Sequence, residues 1–281
     1  MRLLASHPTQ LAPIGEWREK IEGVERSILI QFSFPYTDVL SFITLSSVLE
    51  GVGTSAYLAG APLITSKYYL TVAGSILVTE ALHASMQRGA INEVPMPNPF
   101  GTPLDPTSVY TLAATFITAC PASNIALPFV PFPTLALDAS VCTCEEPNCS
   151  PPMLQKREPW TKTETWETST KYASPSPTAT ALSDTCTAPY AGSTAMFTAA
   201  SAIPAGSFVT FVSGLNVVSV PGTISGMDIS AAIPSVAMGQ TYVFVTSSDQ
   251  EGTLSDAAVQ FGPAILEVYP AAPLINYSIL K

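Results

Sequence analysis

Two long, almost uncharged apolar runs occupy the first half of the chain, and short alternating runs occupy its last third. The segment DVLSFITLSSVLEGVGTSAYLA, 38–59, predicts a helix, with Asp38 placed to accept the orphan N–H groups of the first turn. GAPLIT, 60–65, reads as a turn around Pro62. SKYYLTVAGSILVTEALHASMQRGA, 66–90, predicts a second buried helix, followed by the proline-rich connection PMPNPFGTPLD, 95–105. Asp105-Pro106 opens a third helix, PTSVYTLAATFITA, that ends near Cys120-Pro121. In the last third, FVTFV, VVSV, DISAAI, TYVFVT and AILEV are short, β-branched and aromatic, and turn-like SGLN, PGTISG, PSVAMGQ and SSDQEG separate them. That spacing predicts a small antiparallel β-sandwich.

The predicted fold class is therefore α+β, a helical hairpin followed by a β-sandwich domain. Residues 1–31 form an irregular N-terminal segment in which GEWREKIEGVERS has the pattern of a short amphipathic helix. Residues 32–137 hold the helical domain, 138–190 a Pro/Ser/Thr-rich linker and 191–281 the sandwich.

Composition narrows the function classes. Only 11% of the 281 residues are charged, with 21 Asp+Glu against 11 Lys+Arg. No basic cluster of useful length exists, so nucleic-acid binding is not expected. Abundant Ala, Ser, Thr and Pro, with much of the polarity carried by hydroxyls, suit a secreted or cell-wall protein, and Asn148 and Asn276 lie in N-glycosylation tripeptides. Yet MRLLASHPTQLAPIGEW has no continuous apolar stretch of the kind a signal peptide needs. Of the five cysteines, Cys142, Cys144 and Cys149 lack zinc-finger spacing, and Cys120 and Cys186 flank the linker as the first choice for a bridge. Both apolar helices exceed the roughly 20 residues that cross a bilayer. Glu50 and Glu80 near their centres argue against lipid exposure, since a central carboxylate costs a few kcal/mol.

Those same two carboxylates are the candidate chemistry. Glu80 and His83 lie three residues apart on one predicted helix and so share a face. In an antiparallel hairpin Glu50 is about nine residues from the turn and Glu80 about fourteen, an offset of ~7 Å that two glutamate side chains can close. Carboxylates on apolar helices need a metal or hydrogen-bond partners. Two readings stay open from these residues: a hydrogen-bonded cluster of Glu50, Glu80, His83 and Tyr57, or a metal site built on a Glu-x-x-His pair.

The stretch from FPYTDVLSFITLSSVLEGVGTSAYLAG through LVTEALHASMQRGA and PNPFGTPLDPTSVYTLAATFITACPASN resembles the fungal ferritin-like-domain proteins, a secreted, stress-related family similar to a sexual-differentiation stress-response protein. IPAGSFVTFVSGLNVVSVPGT and GQTYVFVTSSDQEGTLSDAAVQFGPAILEV are similar to that family's β-domain. The resemblance implies a partial four-helix bundle with Glu50, Glu80 and His83 as ligands of iron or manganese, and a secreted or wall-associated location. It covers half of a di-metal ligand set. A first half would precede residue 32, where Glu16, Glu19, Glu22 and Glu25 occur without a Glu-x-x-His, and His7 is not placed to complete one. Metal binding without catalysis is the expectation, with no catalytic residue assigned. A homodimer through the apolar hairpin is the expected partner arrangement. The alternative is a secreted or wall-associated structural or binding protein with no metal function.

Overall fold

The computed structural model describes residues 30–138, except 92, 123 and 125, together with 189–269. The expected amphipathic helix, His7, the linker, the cysteines from 142 to 186 and both glycosylation tripeptides lie outside the described residues.

Helix α1, Val39–Gly60, starts where the sequence places it. The Asp38 carboxylate accepts from Ser41 N at 2.8 Å, and Ser41 Oγ accepts from Asp38 N at 3.0 Å, a reciprocal capping box. A single 3-10 turn, Ala61–Leu63, reverses the chain into α2, Lys67–Ala90, capped by Ser66. The third helix, α3, Pro106–Ala114, is shorter than its pattern suggests. Residues Ile117–Ala119 leave the helix as strand β2, paired antiparallel with β1, Gln31–Phe32. β-Branched Ile117 and Thr118 favour the extended form. Ser33 N donates to Phe116 O at 2.8 Å, and the Phe34 and Phe116 rings lie 5.3 Å apart, which fixes the departure.

The remaining strands make two four-stranded antiparallel sheets. One contains β5, Phe208–Ser213, β6, Asn216–Pro221, β9, Gly239–Thr246, and β10, Val259–Val268, in the order β10-β9-β5-β6. The other contains β3, Leu135–Leu137, β4, Thr194–Ala199, β7, Thr223–Ser225, and β8, Asp228–Ala232, in the order β3-β4-β8-β7. Strand β4, TAMFTA, escapes the sequence pattern because two of its three inward residues, Ala195 and Ala199, are small; Phe197 is the third. Strand β3 comes from the stretch that follows the helices and pairs with β4, so helical segment and sandwich are joined by a sheet edge as well as by packing.

The core between the sheets takes alternate residues: Phe197, Val209, Phe211, Ile229, Val243, Val245, Leu266 and Val268. The opposite face of the β10-β9-β5-β6 sheet is also covered. Tyr242, Phe244 and Val212 point to that side and pack with Val52 of α1 and Leu104, flanked by Val109 and Leu112 of α3. The result is three layers, sheet on sheet on helices. It explains why TYVFVT is buried without a break: odd positions face one core and even positions the other.

Polar bonds fasten the helical layer at two points. Tyr242 Oη and Ser55 Oγ share a hydrogen bond of 2.8 Å, and Gln240 Nε2 donates to Tyr242 Oη at 3.1 Å and to Val48 O at 3.2 Å. Burial pushes the Tyr242 phenol up to about 12, so it stays a neutral hydroxyl. At the end of α2, Arg88 makes a bidentate pair with Glu267 on β10, at 2.9 and 2.6 Å, and its Nε donates to Val94 O at 2.8 Å. Tyr269 Oη donates to Glu93 Oε1 at 2.7 Å beside this pair. Burial works against the charge on Arg88, yet the bonds and charge of Glu267 outweigh it and hold the guanidinium protonated.

The expectation of two buried helices needs correction. Among the described residues α1 and α2 bury only the side that meets the sheet and each other, and Val39, Leu40, Phe42, Val72, Leu82 and Met86 are exposed. The stretch Val39–Leu63 is long and apolar enough to cross a membrane by length and composition alone.

Two outcomes follow for stability. Arg88→Ala leaves the Glu267 carboxylate half-buried and unpaired, and urea unfolding is expected to show a loss of about 3 kcal/mol. Tyr242→Phe removes a hydroxyl that bonds two helix-layer and sheet groups, and the same measurement is expected to show about 1 kcal/mol.

Candidate metal centre

The hairpin brings Glu50, Glu80 and His83 together. Helices α1 and α2 run antiparallel in a constant register along their seam. Ser46 faces Gln87, whose Nε2 donates to Ser46 Oγ at 3.0 Å. One turn on, Glu50 faces His83, with His83 Nδ1 3.2 Å from Glu50 Oε1. One turn further, Gly53 faces Glu80: a Cβ on residue 53 would stand 2.5 Å from Glu80 Oε2. The absence of a side chain at Gly53 is what admits the Glu80 carboxyl to the seam. Because Gly53 is three residues beyond Glu50, the rise between the carboxyl-bearing levels is ~4.5 Å, less than the ~7 Å expected from counting residues to the turn.

Glu50 is the link in this cluster. Its carboxylate meets the His83 imidazole on one side and hydrogen-bonds the Glu80 carboxyl on the other. Partial burial first, and then the bond and charge of Glu50, push Glu80 up to about 7, while His83 pulls it down. Near neutral pH the Glu80 carboxyl is thus still partly protonated. The cluster lies at the edge of the protein, with the His83 side chain 50% exposed and that of Glu50 22%. The donors touch in pairs, and among the described residues no group of three or more His, Cys, Asp or Glu side chains is arranged to hold a metal ion. No hydrogen bond joins Tyr57 to the cluster.

Sequence reasoning passed over Gln87 and Gly53. Gln87 is four residues beyond His83 and Gly53 three beyond Glu50, so each shares the face of a residue already singled out. Gln87 Oε1 is buried without a hydrogen-bond partner, which leaves an extra acceptor next to the cluster. At the expected bridge, Cys120 is exposed and its proposed partner Cys186 lies outside the described residues.

The Glu80 carboxyl makes stability depend on pH. Its folded value is raised from 4.5 to about 7, so it favours the folded state at low pH, and this contribution is lost as pH rises through 7. Glu80→Gln is therefore expected to melt at a higher temperature than the wild type at pH 8 in metal-free buffer. The two proteins should melt together near pH 4, and a difference that does not grow with pH would show that Glu80 titrates normally.

No curated protein matches the chain significantly. Residues 17–93 match the family model of the ferritin-like domain, a span that contains α1, α2 and all of Glu50, Glu80 and His83. The match supports a ferritin-like domain in this chain, placed over the helical hairpin that carries the candidate centre.

Proposed function

We propose that the chain is a metal-binding ferritin-like protein that takes iron or manganese through Glu50, Glu80 and His83. The observation that carries the reading is the contact of Glu50 with His83 on one side and with Glu80 on the other along one hairpin seam, with Gly53 keeping the space for Glu80 open. Carboxylate oxygen and imidazole nitrogen are the donor types that iron and manganese accept. A bound ion would supply a Lewis-acidic, redox-active centre.

The residues have separate tasks in this reading. Glu50 contacts both other donors and so is the side chain able to bridge them. Glu80, whose carboxyl keeps its proton up to about pH 7, would have to lose it to hold a cation. His83 would offer a ring nitrogen to the ion in place of its contact with Glu50. The chemistry assigned is binding, and no reaction follows from these residues.

Iron(II) under anaerobic conditions, or manganese(II), should remain with the full chain after gel filtration, with the amount measured by mass spectrometry. Glu50→Ala and Glu80→Ala should each weaken retention at least about tenfold, and Gly53→Ala should weaken it by crowding Glu80. Retention should fall from pH 8 to pH 6 because the proton on Glu80 competes with the ion. Equally low metal in the wild type and in Glu80→Ala would reject the reading.

A further inference from the structure

Between α1 and α2 lies a polar group that neither the packing nor the three residues of the candidate centre explain. Gln87 stands on α2 four residues beyond His83, and Ser46 on α1 four residues before Glu50. The two meet one turn along the seam from the contact of Glu50 with His83, and Gln87 Nε2 donates to Ser46 Oγ at 3.0 Å. The other end of the amide, Oε1, is buried and accepts no hydrogen bond. The adjoining donor side chains are engaged elsewhere. Arg88 turns its guanidinium to Glu267 and to Val94 O, and Ser47 Oγ donates to Thr44 O at 2.8 Å.

A buried carbonyl oxygen without a donor is destabilising. Leucine or methionine at this position would pack in an apolar seam without leaving a polar atom unpaired. A buried acceptor that the protein does not satisfy points to an ion or a water as its partner. Long side chains on a helix lean over the turn that precedes them, which directs Gln87 back toward the level of His83. The neighbours at that level are a carboxylate and an imidazole. An amide oxygen has nothing to offer an anion, but it is a donor that hard cations accept. We infer that Gln87 Oε1 is a further oxygen donor to the cation of the candidate centre, given that Glu50, Glu80 and His83 bind one. Ser46 positions the amide by holding its nitrogen. With Gln87 included, three side chains offer oxygen and one offers nitrogen. Such a set suits manganese(II) better than zinc(II).

Titration calorimetry of the full chain with manganese(II) and with zinc(II) at pH 8 tests the assignment. Gln87→Leu is expected to weaken manganese binding about tenfold and zinc binding by less than about threefold. Gln87→Glu is expected to bind manganese more tightly than the wild type, because a carboxylate oxygen replaces the amide oxygen. In metal-free buffer Gln87→Leu should melt no lower than the wild type, since the unpaired oxygen leaves together with the bond to Ser46. A purely structural amide would lower that melting temperature and move both metals together, which overturns the inference. Unchanged manganese binding in Gln87→Leu overturns it as well, water then being the partner of Oε1. Weaker binding in Gln87→Glu does the same, by showing that the amide turns its nitrogen to this place. A wild type that binds no manganese rejects the metal-binding reading itself and this assignment with it, whereas a wild type that binds it while both variants match rejects the assignment alone.

Discussion

An ion pair at the end of α2 fastens that helix to the sandwich, alongside the Tyr242–Ser55 bond and the core around Val52 and Leu104 that seat α1, and the position of the candidate centre depends on it. Arg88 reaches from the last turn of α2 to Glu267 on the outer face of β10. The fork of the guanidinium matches both carboxylate oxygens and therefore fixes orientation as well as distance. Since α2 is antiparallel to α1 and its last turn is pinned, the level at which His83 and Glu80 meet Glu50 and Gly53 is set as well. Removing the pair would free the end of α2 from the sheet, while the Tyr242–Ser55 bond and the packing of Val52 would still seat α1.

The sheet provides that seat because β9 and β10 are buried on both faces. Val243 and Val245 belong to the core between the sheets, while Tyr242 and Phe244 belong to the core under the helices. A phenol at residue 242 suits this position, since its ring fills the apolar layer and its hydroxyl meets Ser55. The helices in turn bury one side only. Their other side holds the candidate centre at its edge and, on α2, the exposed side chains of Val72, Leu82 and Met86.

Much of the fold can be read from the chain. Asp38, Ser66 and Asp105 start three helices where capping chemistry predicts them, and the hydroxyl-rich, β-branched runs of the last third become strands. The missed elements have physical reasons. Strand β4 shows its alternation only in small alanines. Strand β2 follows helix-like residues and is extracted from the helix by a partner strand 85 or so residues earlier in the chain, a distance no local pattern encodes. The exposure of the hairpin is likewise invisible in composition, because an apolar helix reads the same whether its second face meets protein, a second chain or lipid.

For the centre, sequence determined the residue types and their spacing on each helix: Glu80 and His83 must share a face because the helix repeats every 3.6 residues. Which residue of α1 lies opposite each of them was decided by the tertiary structure. The short turn Ala61–Leu63 and the anchoring of Arg88 set the register, so that Glu50 meets His83 and the space beside Glu80 falls to Gly53. Register between two packed helices is a property of the turn and of distant contacts, and no periodicity within either helix can contain it.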